Sequence, residues 1–270
     1  MPELPEVETT VRGLRRVLQG ERLARVEPRR ADLRRAIPPD LRQRLTGATV
    51  TGLGRRAKYG LIETDRGDTL VFHLGMSGRW RIDPADLGKH DHLLIETDSG
   101  HRLALADPRR FGSLDIVVTE GREARPPFAA LGPEPLGPAF DGAYLEAALN
   151  GRAAPIKAML LDQRIVAGLG NIYVCEALNI ARIAPARPAG QISGKRLARL
   201  ADAVRETLTA AIEAGGSTLR DYARPDGELG YFSKQFRVYG REGERCPCGG
   251  TVRRRVDAGR STFYCPQCQR

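Results

Sequence analysis

The chain has 270 residues, and its 43 lysines and arginines outnumber 33 aspartates and glutamates, which gives a net charge of +10. A hydrophobic fraction of 41% is enough to form a core, which excludes a disordered basic tail or a histone-like arm. No apolar run approaches the length of about 18 residues that a membrane helix needs, so the composition predicts a soluble, cytoplasmic protein with no membrane partner.

The positive charge is concentrated at the two ends of the chain. Residues 1–60 carry a net charge of +7 and residues 241–270 carry +4, whereas the residues between them sum to −1. A folded protein this basic commonly binds a polyanion, and nucleic acid is the first candidate. A basic composition that serves only solubility is the alternative.

The N-terminal half is predicted to contain one helix followed by strands. Apolar residues recur at helical spacing from Val7 to Leu18, and Gly20 is placed to end that helix. From about Ala48 to Val118 the pattern changes to short β-rich runs separated by turn clusters. This alternation predicts a mostly antiparallel sandwich or barrel that carries the helix on one side.

The C-terminal half is predicted to be helical after a proline-rich linker. Five of the 18 prolines lie within residues 126–138, a density that helices and interior strands do not tolerate. Residues 215–240 mix glycine, aromatic and charged residues without a period, which predicts a long loop. Between linker and loop, capping residues and periodicity predict four helices, starting at Asp141, Pro155, Asn171 and Ser193 and running to about Leu149, Leu161, Ile180 and Ile212.

Four of the five cysteines lie in the last 25 residues, as Cys246-x-Cys248 and, after sixteen intervening residues, Cys265-x-x-Cys268. Two close thiolate pairs suit one tetrahedral structural Zn²⁺, and the basic segment between them reads as a β-hairpin. Such a short module needs the metal in order to fold. The one-residue spacing of the first pair is shorter than is usual and predicts slight strain, and reduced surface cysteines are the alternative. Cys175 is predicted to be a packing residue.

The N-terminus offers a second kind of chemistry. Removal of Met1 would leave Pro2 with a free secondary amine, and an α-amine is about 10% neutral at pH 7, whereas a lysine is neutral less than about 0.1% of the time. The chain end is therefore the readier nucleophile for imine formation. Glu3 and Glu6 could lie on one face, as acid/base and orienting carboxylate. Proline and glutamate are also ordinary residues at a helix start, so a structural role stays open.

Lysine is rare in this chain, which has 38 arginines and 5 lysines. Where a phosphate needs only a cation, arginine would serve, so a retained lysine can indicate proton transfer. Lys58 follows Arg55-Arg56-Ala57 at the start of a predicted strand. A solvated basic strand edge is the alternative interpretation of Lys58.

Motifs from the first residue to the last resemble those of the bacterial formamidopyrimidine-DNA glycosylases. They are Met1-Pro2-Glu3-Leu4-Pro5-Glu6-Val7-Glu8, Arg56-Ala57-Lys58-Tyr59, His73-Leu74-Gly75-Met76-Ser77-Gly78, Lys89-His90-Asp91-His92, Asp107-Pro108-Arg109-Arg110-Phe111-Gly112, Gly168-Leu169-Gly170-Asn171-Ile172-Tyr173 and the cysteine pairs. The resemblance implies a bifunctional, monomeric DNA repair enzyme with one structural zinc. It would excise 8-oxoguanine and formamidopyrimidines from double-stranded DNA and cleave the abasic strand by β,δ-elimination.

The resemblance also implies catalytic roles. Mature Pro2 would attack C1′ of the damaged nucleotide, expel the base and form an imine with the opened sugar. Glu3 would be the acid/base, and Glu6 its supporting carboxylate. Lys58 matches the lysine assigned to phosphate contact and β-elimination, and Arg260 the arginine assigned to phosphate binding and δ-elimination.

Further residues are implied to contact DNA. Extruding a nucleotide leaves a void in the duplex, and Met76, Arg109 and Phe111 match the trio that fills it, two apolar wedges and an arginine for the orphaned partner base. Ordinary core positions for Met76 and Phe111 are the alternative. Other implied DNA-contacting residues are His90, Arg109, Arg152, Lys157 and Asn171.

The implied fold class is α+β, with an N-terminal helix and antiparallel β-sandwich, a helical domain with a helix-two-turns-helix, and a zinc-ribbon hairpin. The implied parts are a catalytic domain (1–125), a linker (126–139), a helix-two-turns-helix domain (140–214), a lesion-capping loop (215–240) and a zinc finger (241–270). Within the capping loop, the segment from Arg224 to Tyr239 would cover the flipped purine. Association with the nucleoid is expected.

Two other functions stay open at this point. One is the endonuclease VIII branch, which prefers oxidised pyrimidines. Leu4 after Pro-Glu, together with the Met/Arg/Phe trio, favours the purine branch instead. The other is a non-catalytic DNA-binding zinc protein, which the presence of Pro2, Glu3 and Lys58 disfavours.

Overall fold

The computed structural model describes residues 2–217, 225, 227 and 230–270. Contacts divide the chain into a first unit, Met1–Ala129 with Ala214–Tyr231, and a second unit, Ala130–Glu213 with Phe232–Arg270. One boundary lies inside the predicted linker and another inside the predicted loop 215–240. The part of that loop at 218–224, 226, 228 and 229, with Arg224, lies outside the described residues.

The described part of the first unit contains two four-stranded antiparallel sheets, ordered β1-β6-β7-β5 and β2-β3-β4-β8. Apolar side chains of both sheets share one core, in which Phe72 meets Trp80 edge to face at 5.5 Å. The predicted sandwich is therefore confirmed. The strands are β1 (Leu23–Pro28), β2 (Val50–Arg56), β3 (Tyr59–Thr64), β4 (Asp68–His73), β5 (Arg79–Ile82), β6 (Asp91–Thr97), β7 (Arg102–Ala106) and β8 (Ser113–Val118).

Strand pairing starts earlier in the chain than predicted. β1 lies about 25 residues before Ala48 and pairs with β6 across a register shift between Leu23 and Arg25. Only Leu23 and Val26 of this strand are buried, and Ala24 and Arg25 between them are exposed, so the sequence has no continuous β-rich run to detect. A strand at the edge of a sheet commonly has this composition.

The predicted N-terminal helix is confirmed as α1 (Leu4–Leu18). Its apolar stripe from Val7 to Leu18 is fully buried in the core shared by the two sheets. Gly20 adopts a φ of +81°, which lets the chain leave the helix and turn toward β1. A short helix, α2 (Leu41–Leu45), packs against β1.

The described part of the second unit contains the four predicted helices and one hairpin. Asp141 caps the first helix by accepting the Tyr144 N–H at 2.7 Å, as predicted. The prediction of Asn171 as a cap is wrong by one residue, because Gly170 holds the extended capping conformation and Asn171 begins the helix. The elements are α3 (Gly142–Leu149), α4 (Ile156–Leu161), α5 (Asn171–Ile180), α6 (Gly194–Glu213), β9 (Arg253–Asp257) and β10 (Arg260–Tyr264).

The mixture of helices, antiparallel sheets and a C-terminal hairpin confirms the α+β fold class. α6 packs against α3 and α5, and α5 also contacts β10, so the hairpin lies on the helical layer of its own unit. Among the described residues, no helix combines the length and the apolar character needed to cross a bilayer.

Candidate active site and metal centre

The start of α1 holds three predicted catalytic residues, Pro2, Glu3 and Glu6, all of them buried. Glu6 Oε2 accepts the Glu3 N–H at 2.8 Å in a capping box, and Glu6 Oε1 accepts the Ser217 N–H at 2.8 Å. Both oxygens of Glu6 are therefore held by the backbone. The carboxylate of Glu6 fixes the turn that carries Pro2 and Glu3, and its role as the supporting carboxylate in catalysis stays a prediction.

Lys58 lies in the hairpin turn between β2 and β3, immediately before the strand that the sequence predicts. Arg56 pairs with Tyr59 across the hairpin, and Ala57 adopts a φ of +53° to close the two-residue turn. Lys58 is only 8% exposed. A solvated basic strand edge does not fit that burial.

His73 is a site residue to which the sequence interpretation gave no role. Burial and the nearby charge of Lys58 lower the pKa of His73 to about 4. Its Nδ1 accepts the Gly75 N–H at 3.0 Å, an arrangement that requires the neutral ring. The sequence feature that could have identified His73 is its position at the end of an apolar strand, two residues before the Gly-Met-Ser-Gly turn.

Two loops of the first unit present the predicted void-filling trio. The Met76 loop (residues 74–78) follows β4, and the Phe111 loop (residues 107–112) precedes β8. Met76 is 37% exposed and Phe111 44% exposed, so their interpretation as core residues is wrong. The Arg109 guanidinium lies 4.9 Å from the centre of the Phe111 ring.

His90 lies at the base of the Phe111 loop. Its carbonyl accepts the Asp107 N–H at 2.9 Å, and its ring lies 6.4 Å from the ring of His92. His90 is half-buried. The structure thus brings His90 next to the loop that carries Arg109 and Phe111.

In the second unit, Lys157 and Asn171 hold the C-terminal hairpin. Lys157 is 3% exposed, and its Nζ donates to Thr262 Oγ1 at 2.6 Å and to the Ser261 carbonyl at 3.2 Å. Asn171 Nδ2 donates to the same carbonyl at 2.9 Å. Burial lowers the pKa of Lys157. Both side chains therefore position Ser261, and their direct contact with DNA stays a prediction.

Arg152 and Arg260 are both exposed in the second unit. Arg260 begins β10, directly after a two-residue turn in which Ala258 and Gly259 have φ of +47° and +75°. Turns with two positive φ values match the twist of a hairpin. Arg260 therefore leaves the tip of the hairpin next to Ser261, whose carbonyl is fixed.

The four predicted zinc ligands converge, with all four Sγ atoms within 4.8 Å of one another. The Cys246–Cys268 and Cys248–Cys265 sulfur separations are 3.9 and 3.5 Å. A tetrahedral zinc with bonds of about 2.3 Å needs sulfur separations near 3.8 Å. The residues fit one structural Zn²⁺, and the alternative of reduced surface cysteines is wrong, because the four thiols converge and Cys246 and Cys265 are buried.

Glycines accommodate the short Cys246-x-Cys248 spacing. Gly249 adopts a φ of +91°, and a Cβ on Gly250 would lie 2.8 Å from Cys265 Sγ. Gly250 also donates its N–H toward Cys248 Sγ at 3.5 Å. The chain bends closely around the thiolates because these two residues lack side chains.

A second layer of buried polar side chains surrounds the thiolates and was not detected in the sequence. Asn179 Nδ2 lies 3.8 Å from both Cys246 Sγ and Cys268 Sγ, and its Oδ1 accepts from Arg237 Nε at 3.1 Å. One turn earlier on α5, Glu176 accepts three backbone N–H groups, those of residues 237–239. Burial raises the pKa of Glu176. Cys175 packs in the adjacent apolar cluster, as predicted.

Family models match almost the whole chain. Residues 1–114 match the formamidopyrimidine-DNA glycosylase N-terminal domain, residues 131–223 match the formamidopyrimidine-DNA glycosylase H2TH domain, and residues 243–270 match the zinc finger found in FPG and IleRS. The formamidopyrimidine-DNA glycosylase of Rhizorhabdus wittichii is 74% identical over the full length of both chains.

Solved structures give the same match. The MutM (Fpg) protein of Thermus thermophilus is 42% identical with a TM-score of 0.87, covering 99% of this chain and 98% of its own. The Fpg of Lactococcus lactis is 36% identical over all of both chains, with TM-scores of 0.90 to 0.91. Its structures hold DNA containing Fapy-dG, an abasic site or an oxidised pyrimidine.

Proposed function

Since the chain belongs to the formamidopyrimidine-DNA glycosylase family, we propose that it is a DNA repair enzyme that excises oxidised purines from duplex DNA and cleaves the resulting abasic strand. The observation that carries the proposal is the construction of the N-terminus. Pro2 and Glu3 are buried at the start of α1, and the twice-anchored carboxylate of Glu6 holds their backbone.

The chemistry follows from that arrangement once Met1 is removed. The Pro2 nitrogen uses its lone pair to attack C1′ while the bond to the base breaks and the base leaves with the electron pair. The positive end of the α1 dipole disfavours a protonated amine at this position. Glu3 transfers the proton that opens the sugar ring, and the product is an imine between Pro2 and C1′.

Strand cleavage follows from the same imine. It makes the C2′ proton acidic, and loss of that proton expels the 3′ phosphate in the β-elimination. Loss of a second proton, from C4′, then expels the 5′ phosphate in the δ-elimination. We assign phosphate contact in these steps to Lys58 in the first unit and to Arg260 in the second. Arg260 suits the task because the fixed hairpin turn exposes its side chain.

DNA binding is assigned to each unit separately. In the first unit, Met76, Arg109 and Phe111 fill the void left by the flipped nucleotide, and His90 contacts DNA beside them. In the second unit, Arg152 contacts the DNA backbone directly. Lys157 and Asn171 contact a DNA phosphate next to the hairpin, which their side chains hold in place. The zinc, when bound, supplies the rigidity of that hairpin. We place the enzyme at the nucleoid, in the cytoplasm, where chromosomal DNA is its substrate.

Borohydride trapping tests this function. The imine should be reduced to a stable crosslink on an 8-oxoguanine:C duplex, and mass spectrometry should locate the crosslink at Pro2. A chain extended by residues ahead of Pro2 is the matched control, since it keeps the fold and loses the secondary amine. Absence of a crosslink with the wild type, or its persistence in the extended chain, would reject the mechanism.

The same experiment decides the substrate class. Because a relative has been crystallised with an oxidised pyrimidine in DNA, a thymine glycol duplex should be trapped in parallel. We expect faster trapping on 8-oxoguanine. Preferential trapping on thymine glycol would assign the chain to pyrimidine repair instead.

A further inference from the structure

The Met76 and Phe111 loops are joined by a buried carboxylate that has no catalytic assignment. Asp107 is 1% exposed. Its Oδ1 accepts the Ser77 hydroxyl at 2.6 Å, and its Oδ2 accepts the Gly112 N–H at 2.8 Å. One side chain therefore links the middle of one loop to the end of the other.

Ser77 extends the link to Arg109, the member of the trio that would meet the orphaned base. Its hydroxyl donates to Asp107 and also accepts the Arg109 N–H at 3.2 Å. Ser77 is 5% exposed. A buried hydroxyl that both donates and accepts has its orientation fixed by its two partners. The backbone of Arg109 is thus held from the Met76 loop.

The backbones of the two loops approach as closely as glycine permits. A Cβ on Gly75 would overlap the backbone of Phe111, and one on Gly112 would lie 2.7 Å from the His73 carbonyl. Gly75 also has a φ of +61°, which favours glycine independently. The two loops therefore form one packed structure at their base, while Met76 and Phe111 stay exposed at its tips.

We propose that Ser77 and Asp107 are positioning residues that lock Met76, Arg109 and Phe111 into a single wedge before DNA is bound. This inference rests on the proposed function, because a wedge is needed only by an enzyme that extrudes a nucleotide from a duplex. Preforming the wedge removes the entropic cost of ordering two loops during insertion. Through Arg109, the hydroxyl of Ser77 also contributes to discrimination of the base opposite the lesion.

Ser77→Ala is the informative variant, and Thr64→Val is its matched control. Thr64 is 5% exposed and its hydroxyl donates to the Asp68 carbonyl at 3.0 Å, so it too is a buried, bonded hydroxyl of the sandwich. Thr64 ends β3 at the β3–β4 turn, which lies at the opposite end of β4 from the Met76 loop. Comparable fluorescence of Trp80 in both variants would show that the core is intact.

Two substrates distinguish a misaligned wedge from a general loss of enzyme activity. Excision from an 8-oxoguanine:C duplex requires insertion, whereas cleavage of a single-stranded abasic oligonucleotide has no duplex void to fill. We expect Ser77→Ala to lower kcat/KM about tenfold on the duplex. Its loss on the single strand should be several times smaller, and its preference for C over A opposite the lesion should fall. Thr64→Val should change the two substrates equally.

Fluorescence provides a direct measure of insertion. A 2-aminopurine beside the lesion brightens when the stack is opened, and Ser77→Ala should slow that step. Asp107→Asn supplies a second test if Ser77→Ala does not fold. The amide has one accepting oxygen where the carboxylate has two, so it loses either the Ser77 hydroxyl or the Gly112 N–H as a donor and should loosen the same loop.

Equal losses on both substrates, or an unchanged insertion rate, would overturn the proposal. Failure of the function itself would look different, because the wild type would then act on neither substrate.

Discussion

The two units hold their functional side chains by different means. In the first unit, buried carboxylates accept backbone N–H groups directly. Glu6 on α1 accepts the Ser217 N–H, and Asp107 accepts the Gly112 N–H. In the second unit, four thiolates and a layer of α5 side chains hold the hairpin that exposes Arg260. A loop can therefore be preformed either by a large core beneath it or by a metal that replaces the core.

The amount of apolar packing explains the difference. The core of the first unit combines α1 with both sheets and includes Phe72 and Trp80. The apolar cluster at the hairpin contains few residues besides cysteines, among them Val238, Val252 and Phe263. So small a cluster cannot offset the entropy of ordering the chain around it. Each unit should consequently respond to a different perturbation.

Removing the zinc should have the largest effect, and within the second unit it should unfold the C-terminal hairpin, whose own apolar cluster is small. Structural zinc contributes on the order of 10–16 kcal/mol in small zinc modules. Elemental analysis should find about one zinc per chain, and chelation should remove DNA binding by the hairpin. Trp80, the single tryptophan of the chain, lies in the core of the first unit, so its unfolding transition should not move.

Two cysteine variants make this test specific. Cys265→Ala removes a ligand and should lose the metal, whereas Cys175→Ala alters a buried cysteine of the same cluster and should keep it. A zinc content near zero in the wild type would contradict the metal centre. A chelation-induced shift of the Trp80 transition would contradict the independence of the two units.

The zinc ligands and α1 could be predicted because their signals are local in sequence. Cysteine spacing and an apolar period each need only a short window of the chain. The bond from Ser77 to Asp107 joins residues 30 apart, and the bond from Ser217 to Glu6 joins residues 211 apart. The local sequence around each of these residues does not identify its partner, so these two hydrogen bonds, which hold the proposed active site, could not be predicted from sequence.

Burial was the second property that the sequence did not reveal. Lys157 was predicted to contact DNA, yet its side chain is buried against Thr262 and Ser261. His73 lies in a recognised motif, but its depressed pKa depends on the packing around it and on the charge of Lys58. A lysine or histidine is a strong signal for chemistry, and only the fold decides whether it faces solvent.

Acid should weaken the first unit through His73. The ring has a pKa of about 4 in the folded chain against about 6.5 when unfolded. The unfolded state therefore binds the proton first, and the stability due to the neutral ring is complete above pH 6.5 and is lost as the pH falls toward 4. Between pH 7 and pH 4.5 this loss amounts to about 2–3 kcal/mol.

His73→Asn should remove that part of the pH dependence. The Asn amide oxygen can still accept the Gly75 N–H, and the side chain has no proton to bind. Urea unfolding followed by Trp80 fluorescence at pH 7 and 4.5 measures the difference. Thr64→Val alters a buried side chain of the same unit that binds no proton, and it should leave the slope unchanged. An equal slope in wild type and His73→Asn would reject this source of acid sensitivity.

The smallest effect should come from substitution of Asn179, which tests how α5 supports the metal centre of the second unit. Its amide N–H lies against two thiolates and offsets their negative charge, while its oxygen holds Arg237. Loss of such a partner typically weakens metal binding about 10–100-fold, or about 1.4–2.7 kcal/mol. Asn179→Ala should raise the zinc dissociation constant by this factor in competition with a chelating dye.

Asn150→Ala, at the exposed end of α3, is the matched control and should bind zinc as the wild type does. The Trp80 transition should be the same in both variants, because Asn179 belongs to the second unit. If zinc affinity is unchanged in Asn179→Ala, the amide is only a packing group. If the Trp80 transition shifts as well, the hairpin is not stabilised independently of the sandwich. A change in zinc affinity alone would show that α5 contributes to the metal centre through one side chain.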